Sequence, residues 1–387
     1  MIRESAANWT HVVYRPLRRA GQRALRKPIA GKTRISRQPE RFPALDHARF
    51  VLIALVVAGH LLEQLVDSGP AAAALYRWIY LFHMPAFVLV SGALSKANLT
   101  HRRALALVTG LLLPYLVFQT LYPAWDAWLF QTGDWSQGYL TPYWLLWYLP
   151  SLACWRLLLP LFARLRFALP LAVAIALAAG LAPWIDYPLS LSRTLVFFPL
   201  FLLGYLMGAR RLQHLGRARV RRMAAAIILL GAAVGAWVLR DLDPEWLYAS
   251  VGYGTLNVAP LPGAAIRLAL LTASAACAAS VLALVPRHTR HAGVGRRSLT
   301  VYLVHGFLVR ALVAAGVFTL LARAVPSWVA LPLCLAAGLA VARLLSTRWA
   351  DRLTAPLTRP VTWLRSLPRV PAGIAIRQRM EQNKRLY

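Results

Sequence analysis

The chain reads as ten apolar segments separated by short polar ones. They centre on Ala48–Val66, Tyr76–Leu94, Ala104–Trp125, Pro142–Phe162, Phe167–Ile185, Ser192–Ala209, Met223–Leu239, Ile266–Val285, Thr300–Leu320 and Trp328–Leu345. A helix needs about 20 mainly apolar residues to cross a bilayer, with some tolerance. The pattern predicts an all-α, polytopic membrane bundle of about ten spans. The sixth segment is the weakest, being short and bounded by Arg193 and Arg210. Transporter folds often show matching halves; no internal repeat is visible here.

The polar segments alternate in charge. Lysine and arginine concentrate before Arg49, around Lys96–Arg103, at Arg164 and Arg166, in Arg210–Arg222, in Arg287–Arg297 and from Arg343 onward. The intervening segments carry Asp67, Asp126, Asp134, Asp186, Asp241, Asp243 and Glu245. By the positive-inside rule the basic loops and both termini face the cytoplasm. The first span then acts as an uncleaved anchor. Three regions follow: a basic, disordered tail over 1–45, a membrane domain over 46–347 and a basic tail over 348–387. The longest outer segment, Arg240–Gly263, is rich in glycine, proline and aromatics and is placed to fold back over the membrane face.

Composition agrees. Hydrophobic residues make up 59% and charged residues 15% of the 387, against about 25% charged in soluble domains. The net charge of +31 would suggest nucleic acid in a soluble protein. Here it lies in loops and tails, so anionic lipid headgroups are the expected partner and nucleic acid is not. Cys154, Cys277 and Cys334 all lie in apolar runs without metal-ligand spacing, so they read as buried thiols.

Ionisable residues at membrane depth are costly and mark functional sites by default. In "LDHARFVLIALVVAGHLLEQL", Arg49 and His60 are eleven residues apart, which is three turns plus about 20° and about 16 Å of rise. They share a face, with Asp46 and Glu63 within about 60° of it. Interhelical polar contacts plus a snorkelling arginine give the plainer reading. "YLFHMPAFVLVSG" places His83 beside Pro85, which removes one backbone N–H and favours a kink. Its Ser91-Gly92 pair suits close helix packing. "RRSLTVYLVHGFLVR" carries His305 and Arg310. Trp144, Trp147 and Tyr148 in "TPYWLLWYLPSL" suit either an aromatic belt or the wall of an acceptor pocket.

Taken in order, these stretches resemble the acyltransferase 3 family, and within it the fucose 4-O-acetylase-like group. "LDHARFVLIALVVAGH" is similar to the family's first-helix Arg, ten residues, His pattern preceded by Asp. "FHMPAFVLVSG", "YWLLWYL", "SRTLVFFPLFLLG" and "RRSLTVYLVH" resemble its later segments, so the likeness covers about residues 44–345. Arg49 departs from the lysine frequent in the fucose acetylase-like group and matches the wider family.

The resemblance implies O-acylation, most simply O-acetylation, of a hydroxyl on a sugar, glycan or cell-envelope acceptor, with cytosolic acyl-CoA (acetyl-CoA foremost) as donor. The setting implied is a bacterial inner membrane. His60 is the expected general base, oriented by Glu63. His83, Ser91 or His305 is expected to stabilise the oxyanion. Arg49, Asp46, Arg102 and Arg103 are expected at the CoA site, and Trp147, Tyr148 and Arg193 at the acceptor site. No metal is expected. Two other readings stay open: acylation of a diffusible small molecule such as an antibiotic at the cytoplasmic face, and a transporter without catalysis.

Overall fold

The computed structural model describes residues 42–131, 138–215, 217–286 and 292–366. The basic N-terminal segment, the loop around Asp134 and the tail beyond Ser366 lie outside the described residues. The described residues form helices and no strands. In chain order the main helices are α1 (Pro43–Glu63), α2 (Pro70–Ala93), α3 (His101–Phe130), α4 (Trp144–Phe162), α5 (Ala168–Leu181), α6 (Pro188–Gln213), α7 (Ala218–Val238), α8 (Pro260–Leu284), α9 (Ser298–Ala314), α10 (Val317–Ala324) and α11 (Ser327–Leu345). Two further helices follow, α12 (Arg348–Thr358) and α13 (Pro360–Ser366).

Every predicted apolar segment falls on a helix. Among the described residues seven helices are long and apolar enough to cross a membrane, or eight if the bent pair α9–α10 is one span. That pair breaks the predicted ninth span. Gly316 takes a left-handed φ of 69° between the two helices, which meet at 63°. α5 begins with only 11 α-helical residues, about 16 Å of rise, and finishes as a 3₁₀ turn at Ala179–Leu181.

Two predicted boundaries also move because partners from other helices hold charge inside. Asp126, read as a loop residue, is buried near the end of α3. Arg310 of α9 grips its carboxylate with Nε and Nη2 at 2.8 and 2.7 Å, and the Tyr143 hydroxyl donates to it as well. Arg193, read as the edge of the sixth span, lies inside α6. Its Nε donates to the Tyr248 carbonyl at 3.2 Å.

α1 packs against α2, α9 and α11, and α2 against α6 and α8. α2 and α6 approach closely at two glycines. A methyl added at Gly92 would run into the Phe201 backbone carbonyl, and one at Gly204 into the Leu89 carbonyl. Small residues let helix backbones approach in this way. Gly204→Ala is therefore expected to destabilise the bundle by about 1–3 kcal/mol, the usual cost of overpacking. Thermal unfolding in detergent measures it, and an unchanged midpoint would show that the two helices can part freely.

The segment between α7 and α8 folds back over one end of the bundle, as its composition suggested. Its one-turn helix Glu245–Tyr248 is fastened by the pairing of the Tyr76 and Tyr248 hydroxyls. Arg77 donates to the Leu242 carbonyl and Ser192 to that of Ala249. Buried Arg267 donates to the Val251 carbonyl and stacks on Tyr253. Burial pushes the Tyr248 phenol above its ordinary pKa, so it stays neutral and can both donate and accept at neutral pH.

Candidate active site

The interior holds four adjoining cavities, ordered along α1 from its Arg49 end to its Glu63 end. The first is a basic basin lined by Lys96, Arg103 and Arg156. It shares Leu94 and Arg156 with a vestibule of about 260 Å³ that carries Arg49, Ser91, Tyr148 and Ser298. The vestibule shares Met84 with a chamber of about 90 Å³ that holds His60, Glu63, Tyr80, Trp147 and Arg193. The chamber shares Glu63 and Trp144 with an open, polar mouth that includes Gln64, Tyr143 and Arg310.

The helical period explains how single helices reach several of these cavities. Arg49, Ile53, Val56, His60 and Glu63 form one face of α1, as the sequence spacing indicated. Tyr76, Tyr80, Met84, Phe87 and Ser91 do the same on α2. α2 runs continuously through Pro85 as a helix.

The polar and aromatic side chains of the chamber gather around His60. Its Nδ1 lies 2.9 Å from Glu63 Oε2. A carboxylate can only accept, so Nδ1 carries the proton, and in the neutral ring Nε2 then keeps the lone pair. This is the tautomer a general base needs, fixed by a group one turn away. The ring packs edge-on against Trp144 at 4.5 Å between centroids and stacks on His305 at 5.3 Å. Trp144 itself has a φ of 38°, a region bulky residues seldom occupy and one that clusters at functional sites. The Tyr80 hydroxyl lies 3.4 Å from His60 Nδ1.

The other two histidines are held differently. His83 Nδ1–H donates to the Ile79 carbonyl at 2.8 Å, and His305 Nδ1–H to that of Val301 at 2.9 Å. As neutral rings they keep no second N–H to offer an oxyanion. His305 Nε2 is buried without a hydrogen-bond partner among the described residues. His83 reaches the site through Tyr80, ring to ring at 4.6 Å.

Ser91 belongs elsewhere. It pairs with the Tyr148 hydroxyl at 2.5 Å in the vestibule. It is eleven residues along α2 from Tyr80, about 16 Å of rise, so it stands level with Arg49 rather than with His60. Arg49 donates to Ser298 Oγ at 2.8 Å and has Asp46 Oδ1 at 3.6 Å. Arg103 donates to the Asn98 carbonyl beside the basin, while Arg102 is exposed. Tyr148 lines the vestibule and not the chamber. Trp147 and Arg193 face the chamber together, with the guanidinium 5.5 Å from a Trp147 ring centroid and 5.2 Å from that of Tyr187.

Arg156, Ser298 and Tyr80 were not singled out from the sequence. Arg156 Nε is buried without a partner among the described residues. It sits in the middle of an apolar run, "LACWRLLLPLF", where a lone arginine was itself the available signal.

The chain matches the family model described as Acyltransferase domain, that of the acyltransferase 3 family, over residues 42–347. It is 31% identical over 180 residues to the Nodulation protein NolL of Mesorhizobium japonicum (strain LMG 29417 / CECT 9101 / MAFF 303099). That alignment covers 42% of this chain and 47% of NolL, so the chain spans about half the length of the relative it matches. No solved structure matches at a significant level. With its family match running from the start of α1 to just past α11, this multi-helix membrane chain belongs to the acyltransferase 3 family.

Proposed function

We propose that the protein is an O-acyltransferase that moves a short acyl group, most simply acetyl, from acyl-CoA to a hydroxyl of a sugar, glycan or other cell-envelope acceptor. The observation that carries this reading is the setting of His60. Its lone pair is fixed by Glu63 inside a small chamber, with a basic vestibule on one side and a polar, aromatic mouth on the other.

The steps follow from the residues. The acceptor hydroxyl enters from the Glu63 end, where Trp144 and Trp147 offer the flat apolar faces that suit sugar rings. His60 Nε2 takes its proton as the oxygen attacks the thioester carbonyl. The imidazolium is stabilised by Glu63, and the Tyr80 O–H, which lines the same chamber, is a donor available to the oxyanion. The C–S bond then breaks, the ester leaves with the acceptor, and the proton on His60 passes to the departing thiolate.

The donor approaches from the Arg49 end. Arg49, Arg103, Arg156 and Lys96 give a cationic route suited to CoA phosphates. The distribution of basic loops supports a cytoplasmic setting for this end and for both termini, with a bacterial inner membrane as the proposed location. The basic charge of the terminal sequences is expected to attract anionic lipid, at about 1 kcal/mol per basic residue near the surface.

Arg49 tests the donor side. Arg49→Ala removes a charge-assisted contact of about 1.5–3 kcal/mol and is expected to weaken acyl-CoA binding about 10- to 100-fold. Arg49→Lys keeps the charge without the fork and is expected to retain part of the affinity. Titration of acetyl-CoA into the purified protein gives the answer. Unchanged affinity in Arg49→Ala would make Arg49 a structural tie between Ser298 and Asp46.

A further inference from the structure

The donor vestibule and the histidine chamber have one lining residue in common. Met84 lines both. From Leu81 to Val90 every other residue of α2 is buried, and Met84 alone is not. Its position on the cavity-facing stripe, one turn after Tyr80 and one before Phe87, explains that exposure. A methionine here is a flexible apolar plug with three rotatable bonds and no polar atom to fix its pose.

The chamber beyond it is small. Its volume of about 90 Å³ corresponds to about three waters at the liquid's ~30 Å³ each. The vestibule before it, at about 260 Å³, is wide enough for an unbranched arm. A thioester carbonyl that comes within reach of His60 must pass Met84. Its acyl chain then shares the chamber with Tyr80, Trp147 and the incoming acceptor. A group of two or three carbons fits that space, and a longer chain crowds Met84 or extends into the mouth that the acceptor needs.

We propose that Met84 is the specificity-determining residue for acyl length, a gate at the junction of the two cavities that favours acetyl over longer acyl groups. The inference rests on the reading that acyl-CoA enters from the Arg49 end.

The test is binding of acetyl-, butyryl- and hexanoyl-CoA to the full-length protein in nanodiscs, comparing wild type with Met84→Ala, Met84→Val and Met84→Leu. In wild type, hexanoyl-CoA is expected to bind at least tenfold more weakly than acetyl-CoA, since each misfit methylene in an apolar pocket discriminates by about 10-fold or more. Met84→Ala is expected to shrink that ratio to within about threefold, by strengthening hexanoyl-CoA and weakening acetyl-CoA as the methionine contacts are lost. Met84→Leu is similar in volume and is expected to keep the wild-type ratio. Met84→Val shortens the side chain with less loss of packing. It reports the same shift if the alanine variant does not fold. An unchanged length ratio in the folded alanine or valine variant, with acetyl-CoA still bound, overturns the gate and leaves the donor reading intact. Failure of wild type to bind acyl-CoA of any length overturns both.

Discussion

His60→Gln is expected to leave a correctly inserted protein that binds acyl-CoA but transfers acyl groups at least about a hundredfold more slowly. That is the lower end of what a positioned general base contributes. Glutamine can still hydrogen-bond to Glu63, so the packing against Trp144 and His305 loses little. It cannot accept the hydroxyl proton. His60→Ala is expected to lose at least as much. Glu63→Gln bears on the same point from the other side, because an amide no longer obliges Nδ1 to carry the proton and the base loses its fixed tautomer. Single-turnover transfer from labelled acetyl-CoA separates the chemical step from binding. Wild-type rates in folded His60→Gln would move the base to His83, whose free ring nitrogen also carries a lone pair.

Asp126→Ala is expected to give the largest loss of stability. The Asp126 carboxylate takes two hydrogen bonds from Arg310 and one from Tyr143, joining α3, α9 and the start of α4. Removing one partner of a buried pair costs about 3–5 kcal/mol, because the other charge is left without compensation. Arg310 keeps some exposure to the mouth, which puts the expected cost near the lower end, about 3 kcal/mol. The double variant Asp126→Ala/Arg310→Met is expected to recover part of it, since no orphaned charge remains. Unfolding midpoints of the three proteins in one detergent decide the matter. Equal midpoints for wild type and Asp126→Ala would show that the pair contributes nothing to folding.

The helices were legible because hydropathy reports one helix at a time. Each apolar run forms its helix whatever its neighbours do. Asp126 and Arg193 defeated that reading for a single reason. A charged residue in an apolar run looks like a boundary unless its partner is known, and the partners here, Arg310 and the Tyr248 carbonyl, come from distant segments. The break at Gly316 was hidden for another reason: a glycine in an apolar run is common, and its left-handed φ is set by how α10 turns away.

The candidate site divides in the same way. The 3.6-residue period alone put Arg49, His60 and Glu63 on one face of α1, and the structure keeps them there. Register between helices is not written in any one of them. That is why Ser91 was grouped with the histidines although it lies level with Arg49. Tyr80 and Ser298 stand inside the quoted segments, but a tyrosine or serine in a membrane helix is ordinary and neither stands out there. Only the approach of α2 and α9 to α1 gives them a role.

As proposed above, this chain places acyl esters on a cell-envelope hydroxyl. Mass analysis of the surface glycans and lipids of cells carrying the wild-type gene, the His60→Gln variant or no copy tests it most directly. Alkali-labile acyl esters, acetyl foremost, are expected on a carbohydrate or envelope component in wild-type cells. They should be absent from cells without the gene and nearly absent with His60→Gln. An identical set of acyl esters in all three would contradict it.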